Sequence, residues 1–442
     1  MNRKVFVAAL VVAGAWARPG SAQDAARSST SNGGATRAVC SGTLDADLVV
    51  RCALAASPEV RNARAELDAT AGRRTTAGVW LPSNPTLGGT VSNRHRPAPE
   101  EASVINWSVA LSQELEISGQ RGARIEAADG EAAVAARRVA VAEQEVAAGA
   151  LTAFYEAAAA QETLRFAVTL AQSAQALAAY AEGRAKEAVV AGVEADVARA
   201  EATRIGLLRF EAERRLAESR AALAALLDSD PRTLAVPAKL PSPTPAELPP
   251  GSLEDAALRL RGEVATAEIE RQVLERRLAL VRRERVPNPI LSVFAAKEEI
   301  NDRILGVGLS FPIPLPGPVG RSRAGEITET LAQIRAAEAS TDLVRRRVRL
   351  EVARAQALFR AREQAADLFT ADQLARARAD LAALRDAIAA RQLSLREGLQ
   401  WQRSLIELLD ADIGARLGRA LAWVELRRIV GLPLGSKEGE RR

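Results

Sequence analysis

The chain has 442 residues, only 3% of them aromatic, and its apolar content is mostly Ala, Val and Leu. Such a composition packs close helices better than a large globular core, and long runs rich in Leu, Ala, Glu and Arg are the composition of long helices and coiled coils. The formal charge of +5 alone would admit nucleic acid. Arg and Glu interleaved along helical stretches of an exported chain instead describe solvated faces with i to i+4 ion pairs, and no nucleic-acid partner is expected.

Met1 to Ala22 reads as a secretory signal peptide, with Arg3 and Lys4 before the apolar run Val5 to Trp16 and small residues at Ser21-Ala22. A flexible segment, 23–43, is expected to follow. Beyond residue 22 no run of about 18 apolar residues occurs, so a membrane span would have to be built from strands. Cys40 and Cys52 are the only cysteines. In an oxidising compartment they are candidates for a local disulfide, with two unpaired thiols as the alternative. His95 is the only histidine. With no Ser/His/Asp set, phosphate-binding Gly loop or metal cluster, neither an enzyme, a cofactor nor a metal site is expected.

The chain is written twice. Glu59-Val60 matches Glu263-Val264, and Asn84-Pro85 matches Asn288-Pro289, both pairs 204 positions apart. The first repeat is expected over 44–228, a Pro-rich linker over 229–252, the second repeat over 253–434, and a charged tail over 435–442. Each half predicts a short helix, a Pro-marked break, a strand pair, a long helix, a turn and a return helix. The short helices are placed at Pro58 to Val79 and Gly262 to Arg285, ended by Leu81-Pro82-Ser83-Asn84-Pro85 and Val286-Pro287-Asn288-Pro289.

Strands are expected at Thr86 to Asn93, Val104 to Leu115, Ile290 to Ala296 and Ile304 to Phe311. Ile105, Trp107, Val109 and Leu111 alternate with small or polar residues, as do Leu305, Val307, Leu309 and Phe311. Period two with two unlike faces, taken alone, favours an ordinary sheet over a strand between water and lipid. Trp107, Phe294 and Phe311 are candidate anchors at a membrane interface, with strand packing the alternative. Proline-free runs from about Arg121 to Lys186 and Arg323 to Ala390 predict continuous helices on the order of 100 Å. Glu194 to Leu227 and Leu395 to Val430 are the return helices, with Trp401 and Trp423 expected to pack inside. The fold class is mixed α and β but mostly α: long antiparallel coiled-coil hairpins and four strands per chain.

Four strands do not close a membrane barrel, which needs about eight. Three copies would supply twelve strands and surround the axis with quasi-sixfold symmetry. The order of features resembles the outer membrane efflux protein family, the TolC-like outer-membrane factors. The resemblance is carried by Ser57-Pro58-Glu59-Val60, the two Pro-marked breaks, and the strand exits Glu116-Ile117-Ser118-Gly119-Gln120-Arg121 and Phe311-Pro312-Ile313-Pro314-Leu315-Pro316-Gly317.

It implies a homotrimer with an α-barrel and a 12-stranded transmembrane β-barrel, a passive duct in the cell outer membrane with a periplasmic extension, surrounded by lipid and working with a periplasmic adaptor (membrane fusion protein) and an inner-membrane pump of the RND type. Within the family the texture is closest to the heavy-metal cation efflux branch. An outer-membrane channel for type I protein secretion and a soluble periplasmic coiled-coil scaffold are the alternatives. The resemblance further implies adaptor docking at the helical turns, at Gly192 and Val193 and at Ser394 and Leu395. Arg391 stands where relatives often carry glycine. Helix ends gathered round a threefold axis can be closed by ion pairs, and Glu194, Asp196, Asp386 and Glu397 are the candidate periplasmic gate.

Overall fold

A computed structural model describes residues 42–96, 102–187, 189, 191–243, 251–298, 302–315, 322–390 and 392–435. The expected signal peptide, Cys40, the loop with Pro97 and Pro99, part of the linker, Arg391 and the tail after Gly435 lie outside the described residues.

The helices and strands of the two halves correspond in order, six segments in the first and seven in the second, where one long helix is divided. In the first half these are α1 (Ala46–Ala56), α2 (Pro58–Ala77), β2 (Thr86–Arg96), β3 (Ala102–Glu114), α3 (Gln120–Lys186) and α4 (Gly192–Leu227). In the second they are α5 (Leu253–Leu260), α6 (Gly262–Arg283), β5 (Ile290–Glu298), β6 (Asp302–Ser310), α7 (Ala324–Asp367), α8 (Ala371–Ala389) and α9 (Leu395–Val430). Pro58 and Gly262, which open the short helices, and Thr86 and Ile290, which open the strand pairs, are each 204 positions apart. A two-residue strand β1 (Gly42–Thr43) pairs in parallel with β4 (Leu234–Ala235). The described end of the segment expected to be flexible is thus a strand held by the linker.

Helix α1 was not anticipated. Asp45 caps it by accepting from Leu48 N at 2.7 Å, and Val49, Val50, Cys52 and Ala53 are buried against α3. Cys52 is bonded and is not a free thiol. Ser57 then caps α2.

Helix α3 runs 67 residues without interruption, on the order of 100 Å. Its buried face is largely alanine, from Ala147 to Ala159 and from Ala167 to Ala181, which lets α4 approach closely, while α6 packs nearer its start, with Val273 over Gly130 and Gly262 against Val141. Larger residues punctuate that face: Leu151 and Phe154 in the core shared with α1, and Leu170 and Leu177 against the second hairpin. Its expected counterpart, one helix from Arg323 to Ala390, is instead two. Helix α7 ends at Asp367, and α8 restarts at Ala371 with the Thr370 hydroxyl accepting from Gln373 N at 3.2 Å. No glycine or proline marks the joint; a competing N-cap does.

The strands form one antiparallel sheet in the order β2-β3-β5-β6. Its register sets Leu87 opposite Leu111, Leu111 opposite Val293 and Val293 opposite Val307, so these share a face with Trp107, Val109, Leu291, Leu305 and Leu309. All are exposed. The other face carries Thr86, Thr90, Ser108, Ser112, Ser292 and Ser310, with glycines at 88, 306 and 308. Phe294 lies there, its ring over Gly306, and not with Trp107. It packs across strands, the alternative expected for it. Phe311 follows the last paired residue and is exposed. No described helix is long and apolar enough to cross a membrane.

Candidate functional site

The two helical turns come together at one end of the molecule. Leu177, Ala178 and Ala181 of α3 and Ala195 and Ala198 of α4 form one buried cluster with Leu384 and Ile388 of α8 and Leu399 of α9. Gly398 belongs to this contact, because a Cβ there would run into the Ile388 side chain. Gly192, Val193, Ser394 and the start of α9 at Leu395 are thereby brought side by side, with Val193 71% exposed at the tip.

The turns are built differently. Helix α4 starts from Ala191, which supplies no side-chain cap. Helix α9 starts from Ser394, whose hydroxyl accepts from Glu397 N at 3.2 Å while the Glu397 carboxylate accepts from Ser394 N at 3.0 Å. That reciprocal pair is a capping box, and with the Ser394 hydroxyl bond it holds the Glu397 carboxyl below the usual range.

Of the four candidate gate carboxylates, Glu397 is therefore engaged within its own turn. Asp196 pairs with Arg199 at 2.9 Å, and Arg199 reaches Glu182 of α3 at 2.8 Å, closing the first hairpin. Glu194 occupies the first turn of α4, where its N–H donates to Ala191 O at 2.9 Å. Asp386 lies in α8, close to its end. Among the described residues no group of three or more His, Cys, Asp and Glu side chains is placed to hold a metal ion.

The charge that joins the two hairpins was not singled out from sequence. Glu201 of α4 is 3% exposed, and it accepts from Arg204 at 2.6 Å and from Arg403 of α9 at 2.7 Å. Burial works to raise its pKa, but the two guanidinium groups outweigh burial and bring it down to about 2. Nothing in the sequence separates Glu201 from the other carboxylates on helical faces; only the packing of α9 over it does. Higher up, Arg416 of α9 bridges to Glu162 of α3 at 2.8 Å and to the buried Asp412, and Glu162 also accepts from Leu240 N of the linker. Trp401, expected to pack inside, is 55% exposed, whereas Trp423 packs against the core of α1 and α3.

The membrane-facing residues expected on β3 and β6 lie as the alternation requires. Ile105, Trp107, Val109 and Leu111 share one face with Leu305, Val307 and Leu309, and that face extends over all four strands.

Solved structures share this architecture. A membrane protein from Pseudomonas aeruginosa is 19% identical with a TM-score of 0.71, over 88% of this chain and 93% of that one. The outer-membrane channel OprN is 18% identical with a TM-score of 0.68, over 88% and 90%. CusC, described for its transmembrane channel formation, is 16% identical with a TM-score of 0.67, over 90% and 94%. At such identities the likeness is one of fold. No curated protein matches the chain by sequence. Residues 49–229, most of the first repeat, match the family described as Outer membrane efflux protein. The chain is thus similar over its first repeat to the outer membrane efflux protein family, and its second half repeats the same order of elements.

Proposed function

We propose that three copies of this chain form a passive duct through the outer membrane, the exit channel of a tripartite efflux system. The observation that carries the reading is the pair of unfinished edges. The sheet ends in β2 on one side and β6 on the other, each with one unpaired side. Below it, α4 leaves Val197, Leu207 and Phe210 exposed, and α7 leaves Leu343, Leu350 and Leu358 exposed. Both edges of the chain are apolar and strand-terminated, and they differ from each other. Joining one edge to the other is a heterologous contact, which closes into a ring when the rotation allows.

Closure places the serine, threonine and glycine face towards a water-filled lumen and the leucine and valine face towards lipid. The helical hairpins then continue the duct into the periplasm as an α-barrel. The turns at Gly192 and Val193 and at Ser394 and Leu395 are its free end, where an adaptor docks, and Glu194, Asp196, Asp386 and Glu397 lie at the mouth. An RND-type inner-membrane pump selects the cargo, and heavy-metal cations are the cargo we assign.

The mature chain, extracted in detergent and added to planar bilayers, is expected to run as a trimer and conduct ions. A soluble monomer that needs no detergent would mean a periplasmic scaffold instead. Cargo is tested in a deletion strain, where lost metal tolerance supports the assignment and lost drug tolerance alone overturns it.

A further inference from the structure

The apolar face of the sheet is too short for a bilayer. On β6 it runs from Leu305 to Leu309, and on β3 from Ile105 to Leu111. At about 3.3 Å per residue and a tilt of about 40°, these cover roughly 10 Å and 15 Å of height, against an apolar band of about 25 Å on outer-membrane barrels. Nor does the face lengthen at the hairpin tips, where Asn93, His95, Lys297 and Arg303 take over.

It lengthens at the other end. After β6, Phe311, Ile313 and Leu315 keep the parity of Leu305 to Leu309, are 55%, 81% and 47% exposed, and alternate with prolines that hold the residue before them extended. Counted to Leu315, the stripe covers about 25 Å. Each of the other three strand–helix junctions also exposes a bulky apolar residue: Trp80 before β2, Ile117 after β3 and Val286 before β5. Trp80 is 77% exposed, and the Arg121 guanidinium at the start of α3 lies 4.1 Å from its ring centroid while donating to Gly78 O at 2.9 Å. Arg282, Arg283 and Arg285 are exposed at the same level, beside the start of β5.

We propose that these junctions, and not the ends of the strands, bound the membrane on the periplasmic side, with Trp80 and Arg121 seated among the phospholipid headgroups of the inner leaflet. The proposal rests on the membrane duct reading. An amphipathic ring beside a guanidinium fits the headgroup level, where the ring meets acyl chain and the cation meets phosphate. The surface is continuous with the apolar sheet face and ringed by arginine, so its occupant is lipid.

The test uses full-length chain reconstituted in phosphatidylcholine vesicles containing lipids brominated either near the glycerol or near the chain ends. A variant with Trp107→Phe, Trp401→Phe and Trp423→Phe leaves Trp80 as the sole tryptophan after the expected leader. A companion variant keeps only Trp107. Trp80 is expected to be quenched about twofold more by the shallow bromine than by the deep one, and Trp107, at the opposite end of the stripe, is expected to be quenched by bromolipid as well. Quenching of Trp107 with Trp80 reached only by aqueous iodide, or by neither reagent, overturns the proposal and leaves the duct standing. If bromolipids reach neither residue, the duct reading itself fails. Should the triple variants not assemble, the difference between wild type and Trp80→Phe gives the same reading.

Discussion

The long arm of the first half is one helix of 67 residues, whereas its counterpart in the second half is cut after Asp367 and restarts at Ala371. The first arm packs along α2, α4 and α6 and turns a buried face of alanines to α4. The second arm packs along α6 and α9, and below its joint it meets the first hairpin through two leucine-rich clusters and the Glu201 bridge. A rigid arm therefore stands beside a jointed one. In the proposed duct, opening of the mouth would fall to α8 and α9, and the contacts to break would be those with α3 and α4.

The largest effect is expected where that attachment is electrostatic. Arg204→Ala with Arg403→Ala leaves the Glu201 carboxylate buried without a cation. Both arginines are about half exposed, so the loss belongs at the low end for a broken buried pair, about 2 to 3 kcal/mol. Urea titration of the detergent-solubilised trimer, followed by the helical signal, measures it. Adding Glu201→Leu is expected to return most of the loss, since the stranded charge is then gone. If the double arginine variant is as stable as wild type, the bridge is not what holds the jointed arm.

The same bridge sets a pH dependence. The folded pKa of Glu201, about 2, lies below its ordinary value of 4.5. Its contribution is therefore complete above pH 4.5 and is lost as pH falls from there towards 2. The stability difference between wild type and Glu201→Gln is expected to be constant above pH 4.5 and to shrink below it. A difference that shrinks only above pH 5 would assign the titration to another group.

Most of the fold is legible in the sequence because it is periodic. The 204-residue repeat and the Pro-marked breaks each have one physical reading, the alternation of Ile105 to Leu111 reads as a strand, and α3 begins and ends within a residue of the proline-free run that suggests it. The joint at Leu368-Phe369-Thr370 is harder, because apolar spacing continues across it. Its one local sign is Thr370-Ala-Asp-Gln373, a capping pattern inside a helical run. Phe294 shows a different limit. Alternation assigns it to a face only once the register is known, and the register sets it over Gly306. Glu201 shows a third, since burial of a charge depends on which helix crosses it.

Thr370→Ala and Ser394→Ala test the jointed arm at its two caps. Each removes a hydroxyl that accepts a backbone N–H, at a cost of about 1 kcal/mol. The loss should appear as faster amide exchange at Gln373 and at Glu397 respectively. Exchange at Val193 to Asp196, in the first hairpin, should not change.

The smallest effect makes the two turns alike. Ala191 has φ −66° and ψ 141°, close to the φ −70° and ψ 155° of Ser394, so the backbone already holds the cap conformation. Glu194 stands three residues on, as Glu397 does from Ser394. Ala191→Ser therefore completes the S-x-x-E pattern in the first turn and is expected to stabilise it by about 0.5 to 1 kcal/mol. Amide exchange at Val193 and Glu194 should slow several-fold, towards that of Arg396 and Glu397. If it slows while adaptor binding weakens, the uncapped first turn is a docking requirement and not a lapse in the repeat. If exchange does not slow, the missing hydroxyl is not what distinguishes the two turns, and their difference must come from the packing of Gly398 against Ile388.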